Sequence, residues 1–435
     1  MKRHPPKITN FLVGSCVILC GMLRAQEAET LPAVDLGEAL FVGPALAEGA
    51  EAAEEVATEP RVFTGEIERR APQRRIAPHL DFTTTYDDNI FIQPKNKVSD
   101  VIFTLAPGIA FGWWDDEERL ENFLDRKKPA SAIEHGRGNF LAFDYTAIFL
   151  GFAENSSENS FDQDARADAQ WQSGKLTFDA RLRFESKSEA NIEIGHRVRT
   201  RTFAAEATAR YDVGEKITVE ANVSAEKNDR EDFVNAVEWQ TEDYVEYKVR
   251  PGLRLGLGGA LGEAQVEAGP DQIFERILAR AVVTLSEKLS ASARAGVEFR
   301  QSDGRLGDRT DPVFSATVEY EPWAATHISI EGYRRVQVSA LSPDELITAT
   351  GFVLKGERTL RAGTILAVES GFELAEYDST TARTDHVFFV RPSLSYNFAT
   401  WGSVQLAYRF RRDESTRGES GFTNNEVSVQ VSLTY

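Results

Sequence analysis

From Ile76 to Tyr435 apolar residues return at every second position, segment after segment. In "KLTFDARLRFES", Leu176, Phe178, Ala180, Leu182 and Phe184 alternate with Thr177, Asp179, Arg181 and Arg183. In "EKITVEANVSAEK", Ile217, Val219, Ala221, Val223 and Ala225 alternate with Thr218, Glu220, Asn222, Ser224 and Glu226. "NNEVSVQVSLTY" sets Val427, Val429, Val431, Leu433 and Tyr435 against Ser428, Gln430, Ser432 and Thr434. Successive side chains of a strand point to opposite faces, so each segment has one apolar and one polar face. About eighteen such segments occur, roughly 20 residues apart, which is room for a strand of about ten and a connection.

The connections are sorted by parity. Short turns follow even-numbered segments, among them "QSGK" (172–175), "DVGEK" (212–216), "LSEK" (285–288) and "ATWG" (399–402). Long polar stretches follow most odd-numbered ones, such as "DDNIFIQPKNKVSD", "SKSEANIEIGHRV", "KNDREDFVNAV" and "RDESTRGESGFTNN". One even-numbered connection is an exception: the charged segment 114–138 is long. A meander in water has no reason to sort its loops. An outer-membrane barrel does, with short periplasmic turns and long extracellular loops. The expected fold is therefore all-β, a transmembrane antiparallel up-and-down β-barrel of about 18 strands with its apolar parity toward lipid. A soluble sandwich also alternates, but it needs neither so many strands nor so charged a polar face.

The remaining composition fits. No apolar run beyond the N-terminus approaches the ~20 residues of a spanning helix. A net charge of −19 in 435 residues argues against a nucleic-acid binder. Residues 1–25 read as an export signal: Lys2, Arg3 and Lys7, then "FLVGSCVILCGML", then Ala25 at the cleavage position. Both cysteines, Cys16 and Cys20, fall inside that signal, so thiol catalysis and Cys-ligated zinc are not expected. Residues 26–75 begin as an Ala/Glu-rich acidic stretch and read as a flexible periplasmic extension. The barrel is expected over 76–435, in the outer membrane, with an even strand count placing both termini in the periplasm.

A family resemblance enters at "LDFTTTYDDNIFIQPKNKVSDVIFTLAPGIAF" (80–111). An aromatic–Asp–Asn stretch after the first strand, followed by an Asp-led second strand with an internal Pro-Gly, resembles the Putative beta-barrel porin 2 group. The matching residues are Tyr86, Asp88, Asn89, Asp100, Pro107 and Gly108. The resemblance implies an outer-membrane barrel and, as one reading, a link to exopolysaccharide production or secretion. The acidic extension is not part of that pattern.

The polar parity carries both charge signs. The residues expected to line a pore are Asp179, Arg181, Arg183, Glu206, Arg210, Glu220, Arg294, Glu298, Glu369, Arg409 and Arg411. Opposed charge rows orient water and polar solutes; they also pair across strands and stabilise a polar interior. Val431, Leu433 and the terminal Tyr435 resemble the signal read by the barrel assembly machinery. "YDDN" (86–89) and "NDRED" (228–232) group carboxylates that could approach one Ca²⁺ ion, but they read better as hydrated turns. His79, His135, His196, His327 and His386 have no partner at metal-ligand spacing. The glycine-rich "GLRLGLGGALG" (252–262) precedes no helix, so it is not a phosphate cradle. No catalysis, metal or cofactor is assigned. Two function classes remain: a porin-like channel for polar solutes, serving carbohydrate transport or exopolysaccharide export, or a non-conducting surface adhesin or barrel enzyme. Expected partners are outer-membrane lipid, the assembly machinery, and polysaccharide or periplasmic export components.

Overall fold

The structure, a computed structural model, describes residues 73–114, 139–302, 307–361, 363–378, 383–417 and 420–435. The expected signal, nearly all of the acidic extension and the charged segment after the second strand lie outside the described residues.

Eighteen strands account for almost all of them. The first nine are β1 (Gln73–Asp87), β2 (Asp100–Trp114), β3 (Phe140–Phe152), β4 (Ser160–Ser173), β5 (Leu176–Asn191), β6 (His196–Asp212), β7 (Ile217–Arg230), β8 (Ala236–Arg250) and β9 (Leu253–Val266). The second nine are β10 (Gln272–Ser286), β11 (Leu289–Ser302), β12 (Arg309–Tyr320), β13 (Thr326–Val338), β14 (Leu346–Arg361), β15 (Thr364–Asp378), β16 (Arg383–Ala399), β17 (Gly402–Ser415) and β18 (Phe422–Thr434). Each pairs antiparallel with the next, and β1 pairs with β18 from His79↔Thr434 to Asp87↔Glu426. The ring is closed, so the sheet has no free edge strand in a medium without water, although the β12–β13 ladder is short, from Phe314↔Arg334 to Tyr320↔Ile328. The sequence expectation of about eighteen antiparallel strands in a barrel holds.

Alternation decides which face is which. Phe178 and Leu182 on β5, Leu406 on β17, and Val427 and Val429 on β18 are exposed on the outer surface. Their neighbours Ala407, Arg411, Asn424 and Glu426 are buried on the inner one. Large aromatic residues gather near the short-turn end: Trp171, Tyr211, Tyr247, Trp323, Tyr396 and Trp401 are all exposed there. A girdle of such rings marks a membrane–water boundary, where an apolar body meets a polar rim.

The long connections differ from expectation in one respect. β5 runs to Asn191 and β6 starts at His196, so most of "SKSEANIEIGHRV" is paired strand rather than loop. β7 and β8 likewise reach Arg230 and Ala236. A polar hairpin can keep its ladder beyond the apolar band, because pairing needs only backbone groups.

The glycine-rich β9 is an ordinary member of the ring whose inward side is nearly bare. A Cβ on Gly258 would lie 2.5 Å from Tyr244 Cδ1, and one on Gly262 would lie 2.3 Å from Phe274 Cζ. The rings of β8 and β10 therefore lie flat across β9 where only glycine leaves room.

Candidate functional site

The inner wall is a lattice of ion pairs. Glu220 on β7 accepts from Arg210 Nε at 2.7 Å and from Arg280 Nη2 at 2.9 Å. Arg280 also pairs with Glu246 at 2.9 Å, and its guanidinium lies 3.7 Å from the Tyr244 ring centroid. Arg280 is on β10, so it reaches across β8 and β9 to find Glu220; the glycines of β9 leave that path open. Glu298 accepts from Arg276 at 2.7 Å and Arg300 at 2.8 Å, and both guanidiniums stack on Phe274. Arg294 donates to Glu242 at 2.5 Å. Buried charge demands this pairing, since an isolated ion in such a setting loses several kcal/mol of hydration.

Each residue expected to line a pore sits on the inner parity. Asp179, Arg181, Glu206 and Arg210 border, with Thr208, a small inner cleft. Arg181 pairs with Glu206 at 3.6 Å, and Arg183 pairs with Glu185. Glu369 faces Lys355 at 3.8 Å. Arg409 and Arg411 converge on Glu426. Sequence reading did not single out Glu242, the partner of Arg294, or Gln240, which accepts from Arg276 at 2.7 Å, nor the inward rings Tyr244 and Phe274. The missing signal was ring geometry, which places Glu242 and Arg294 together although three strand positions separate β8 from β11.

The resemblance motif has a different place. Asn89 is fully buried and joins three segments: its side chain donates to Gln93 O and Thr423 O, and accepts the Gln93 N–H. Asp88 accepts both the backbone and side-chain N–H groups of Asn425 at 2.7 Å. Asp100 accepts N–H groups of Val101, Glu154 and Asn155. Gly108 lies under the His79 ring, which contacts Asp144 at 3.0 Å. Tyr86 and Pro107 are exposed on the outer face. Of these residues Asp88 and Asn89 stitch the β1–β18 junction, and Asn89 and Asp100 tie down the first two long connections. Among the described residues, no cluster of three or more His, Cys, Asp or Glu could hold a metal ion. At the terminus, Val431 pairs with Phe82 and Leu433 with Leu80, while the Tyr435 N–H reaches Pro78 O at 3.0 Å.

The mouth at the long-connection end is crossed. Glu193, in the β5–β6 turn, accepts the Ala340 N–H at 2.9 Å, the Leu341 N–H at 3.2 Å and the Ser339 hydroxyl at 2.5 Å. Those donors begin the β13–β14 connection. Val234, between β7 and β8, donates to Ala340 O at 3.1 Å, and Arg383 of β16 donates to Glu193 O at 3.1 Å. Four hairpins thus meet over one end of the ring.

Residues 275–435 match the family model of Putative beta-barrel porin 2. The match spans β10 to β18, whereas the motif first seen in the sequence lies in β1 and β2. The closed ring, its apolar outer face and this match over part of the chain are those of a porin-like, multi-pass outer-membrane β-barrel. No curated protein sequence matches the chain. Among solved structures, OpdK of Pseudomonas aeruginosa with vanillate is similar at 10% identity, covering 83% of this chain and 99% of that one, with a TM-score of 0.43. OccAB4 of Acinetobacter baumannii is similar at 8% identity, covering 85% and 100%, with a TM-score of 0.43.

Proposed function

We propose that the channel passes polar solutes along its charged inner wall. One observation carries this reading: acid and base are arranged in facing pairs on the inner side of a ring whose outer side is apolar. Such a wall sets a transverse field that orients dipolar solutes without holding them tightly. The short turns would face the periplasm together with both chain ends, the acidic extension and the charged segment after β2. Support for this is the parity of the connections. Traffic in carbohydrate, including exopolysaccharide export, is supported by the family resemblance alone.

Single-channel recording in a planar bilayer tests the proposal. Discrete conductance steps are expected. Glu220→Gln would leave Arg210 and Arg280 in excess and shift the reversal potential toward anion selectivity. A folded barrel with no conductance under any voltage would overturn the channel reading in favour of a surface-binding role. Liposome swelling with sugars of increasing size would then separate carbohydrate passage from passage of ions alone.

A further inference from the structure

An acid faces lipid on β8. Along the outer parity of that strand the residues run Tyr247, Val245, Asp243, Thr241 and Trp239, counted from the short-turn end. Val245 and Tyr247 are exposed on that face, whereas Glu242, Tyr244 and Glu246 are buried on the inner one. Asp243 therefore points outward, and it is exposed there. Tyr247 belongs to the girdle at the short-turn end. Trp239 marks the opposite boundary, where its indole N–H donates to Glu263 at 3.1 Å. Asp243 lies midway between these rings, about 13 Å along the strand from each. At a strand tilt of about 40° this is roughly 10 Å along the membrane normal, which places Asp243 near the middle of the apolar band.

Its surroundings leave the carboxyl group bare. Its ladder partners are Ala221 on β7 and Gly259 on β9, with Ala209 of β6 next to Ala221. Leu257 is 72% exposed and Ile277 68%, rising beside this flat row. Among the described residues the Asp243 carboxylate has no hydrogen bond or ion pair. An ionisable group inside a bilayer is costly unless it reaches water or a partner. A long side chain solves this by snorkelling to the boundary, but the single methylene of aspartate cannot span such a distance. Arg334, on the outer face of β13, already has Thr350 and Glu376. On β14 to β17 the outer face presents Phe352, Leu366, Leu394 and Leu406, which hold any neighbour's backbone away.

We propose that the β7–β9 face docks a second copy of this chain, through reciprocal hydrogen bonds between the two Asp243 carboxyl groups. A carboxyl group carries one O–H donor and one C=O acceptor, so two of them complete each other. A two-fold axis along the membrane normal brings every residue to the depth of its counterpart, so a second copy supplies the partner at the required height. Ala221 and Gly259 let the two walls approach closely enough for so short a side chain to meet its counterpart. Leu257 and Ile277 then pack against the second copy and cover the pair from lipid. The pairing uses the outer wall and leaves the interior of each ring as it is.

The test uses the full chain, labelled at its N-terminus with a donor or an acceptor dye and co-reconstituted in liposomes of rising lipid-to-protein ratio. Energy transfer from the unaltered chain should persist on dilution until the dimer dissociates. Asp243→Leu should lower by about tenfold the dilution at which transfer is half lost, the loss expected for two ordinary hydrogen bonds. Asp243→Asn should retain association, since an amide also pairs reciprocally. Ala221→Trp should weaken it by filling the row beside Asp243. Leu406→Ala on β17, away from this face, should behave as the unaltered chain does. Heat-modifiable gel mobility would confirm that each variant is folded; if Ala221→Trp is not, the Asp243 variants decide. Transfer no greater than for randomly placed copies, or association of Asp243→Leu equal to that of the unaltered chain, would overturn the proposal. A loss with Asp243→Asn as large as with Asp243→Leu would overturn the carboxyl pair.

Discussion

Glu193 and Ala340 meet at 2.9 Å, although their hairpins stand eight strands apart in a ring of eighteen. Both carboxylate oxygens of Glu193 lie at that distance from the Ala340 N–H, so the contact spans the mouth rather than skirting it. Removing the carboxylate strands the Ala340 donor, leaves Leu341 N–H only the Ser339 hydroxyl, and frees the β13–β14 connection. Glu193→Ala should therefore raise single-channel conductance or open time while the barrel remains folded. Proteolysis within 339–345 should quicken in parallel. Unchanged conductance with faster proteolysis would mean that the connection crosses the mouth without narrowing it.

The same contact carries a pH dependence. Burial pushes the Glu193 carboxyl above its usual range, against the opposing pull of the Ser339, Ala340 and Leu341 donors and of Arg230. The latched form then binds its proton more tightly than the released form. Its stability is full below the ordinary glutamate value, about 4.3, and is lost as pH rises through the raised value. Conductance should accordingly fall on acidification through this window. Arg383 and Arg230 stay charged throughout; the acids nearby are Glu345, 3.2 Å from Ser339 Oγ, and Asp385, paired with Arg383. Glu193→Gln should flatten the response and Glu345→Gln should preserve it; the reverse pattern would reassign the titrating group.

On β18 the two faces can be told apart by adjacent substitutions. Val429 is 44% exposed on the outer side, and Gln430 points inward, where its amide reaches Asp81 at 3.3 Å. An arginine on the lipid side near the midplane costs roughly 2–4 kcal/mol. Val429→Arg should lower the folded fraction on a heat-modifiability gel far more than Gln430→Arg. Equal tolerance would contradict a lipid-facing Val429.

Gly262 gives a packing test. Its missing Cβ leaves room for the Phe274 ring, with Phe274 Cζ only 2.3 Å from where that atom would be. Gly262→Val should destabilise the barrel by about 1–3 kcal/mol, the usual cost of overpacking. Adding Phe274→Leu should recover part of the loss in urea titrations. No recovery would point instead to the Trp239 carbonyl, 2.6 Å away on the other side.

Asn89 tests the motif as a stitch. Asn89→Ala would leave Thr423 O and the Gln93 backbone groups without their partner, at about 1–3 kcal/mol per buried unsatisfied group. The urea midpoint should fall while conductance per folded channel stays constant. A change in conductance at constant stability would instead place the motif in the transport path.

Much of this fold is written in the sequence at the level of parity. Leu176 to Phe184 and Val427 to Leu433 declare which side meets lipid, because each strand satisfies that demand locally. β9 reads poorly for an equally physical reason. Its glycines answer Tyr244 and Phe274 on neighbouring strands, and a single segment does not display its neighbours' needs. The inner wall is half legible. Arg294 and Glu298 show their face by alternation, yet the pairing of Arg294 with Glu242 depends on how far a guanidinium reaches around the ring. The Glu193 latch is not legible at all, since its donors come from a hairpin 147 residues later and the acid looks like any other in a polar turn.

Closure of β1 onto β18 has a consequence for how such a chain could change over generations. Every strand is antiparallel to both neighbours, so adding or losing one alone would force two parallel strands together or open the circle. Whole hairpins are the permitted unit, and a single-residue slip in any strand would have to be absorbed by its partners or reverse its faces. Lineages descended from a common ancestor should therefore differ by even numbers of strands and by the lengths of their connections. The interior lattice can drift, one charge pair at a time, while the circumference moves only in doubled steps.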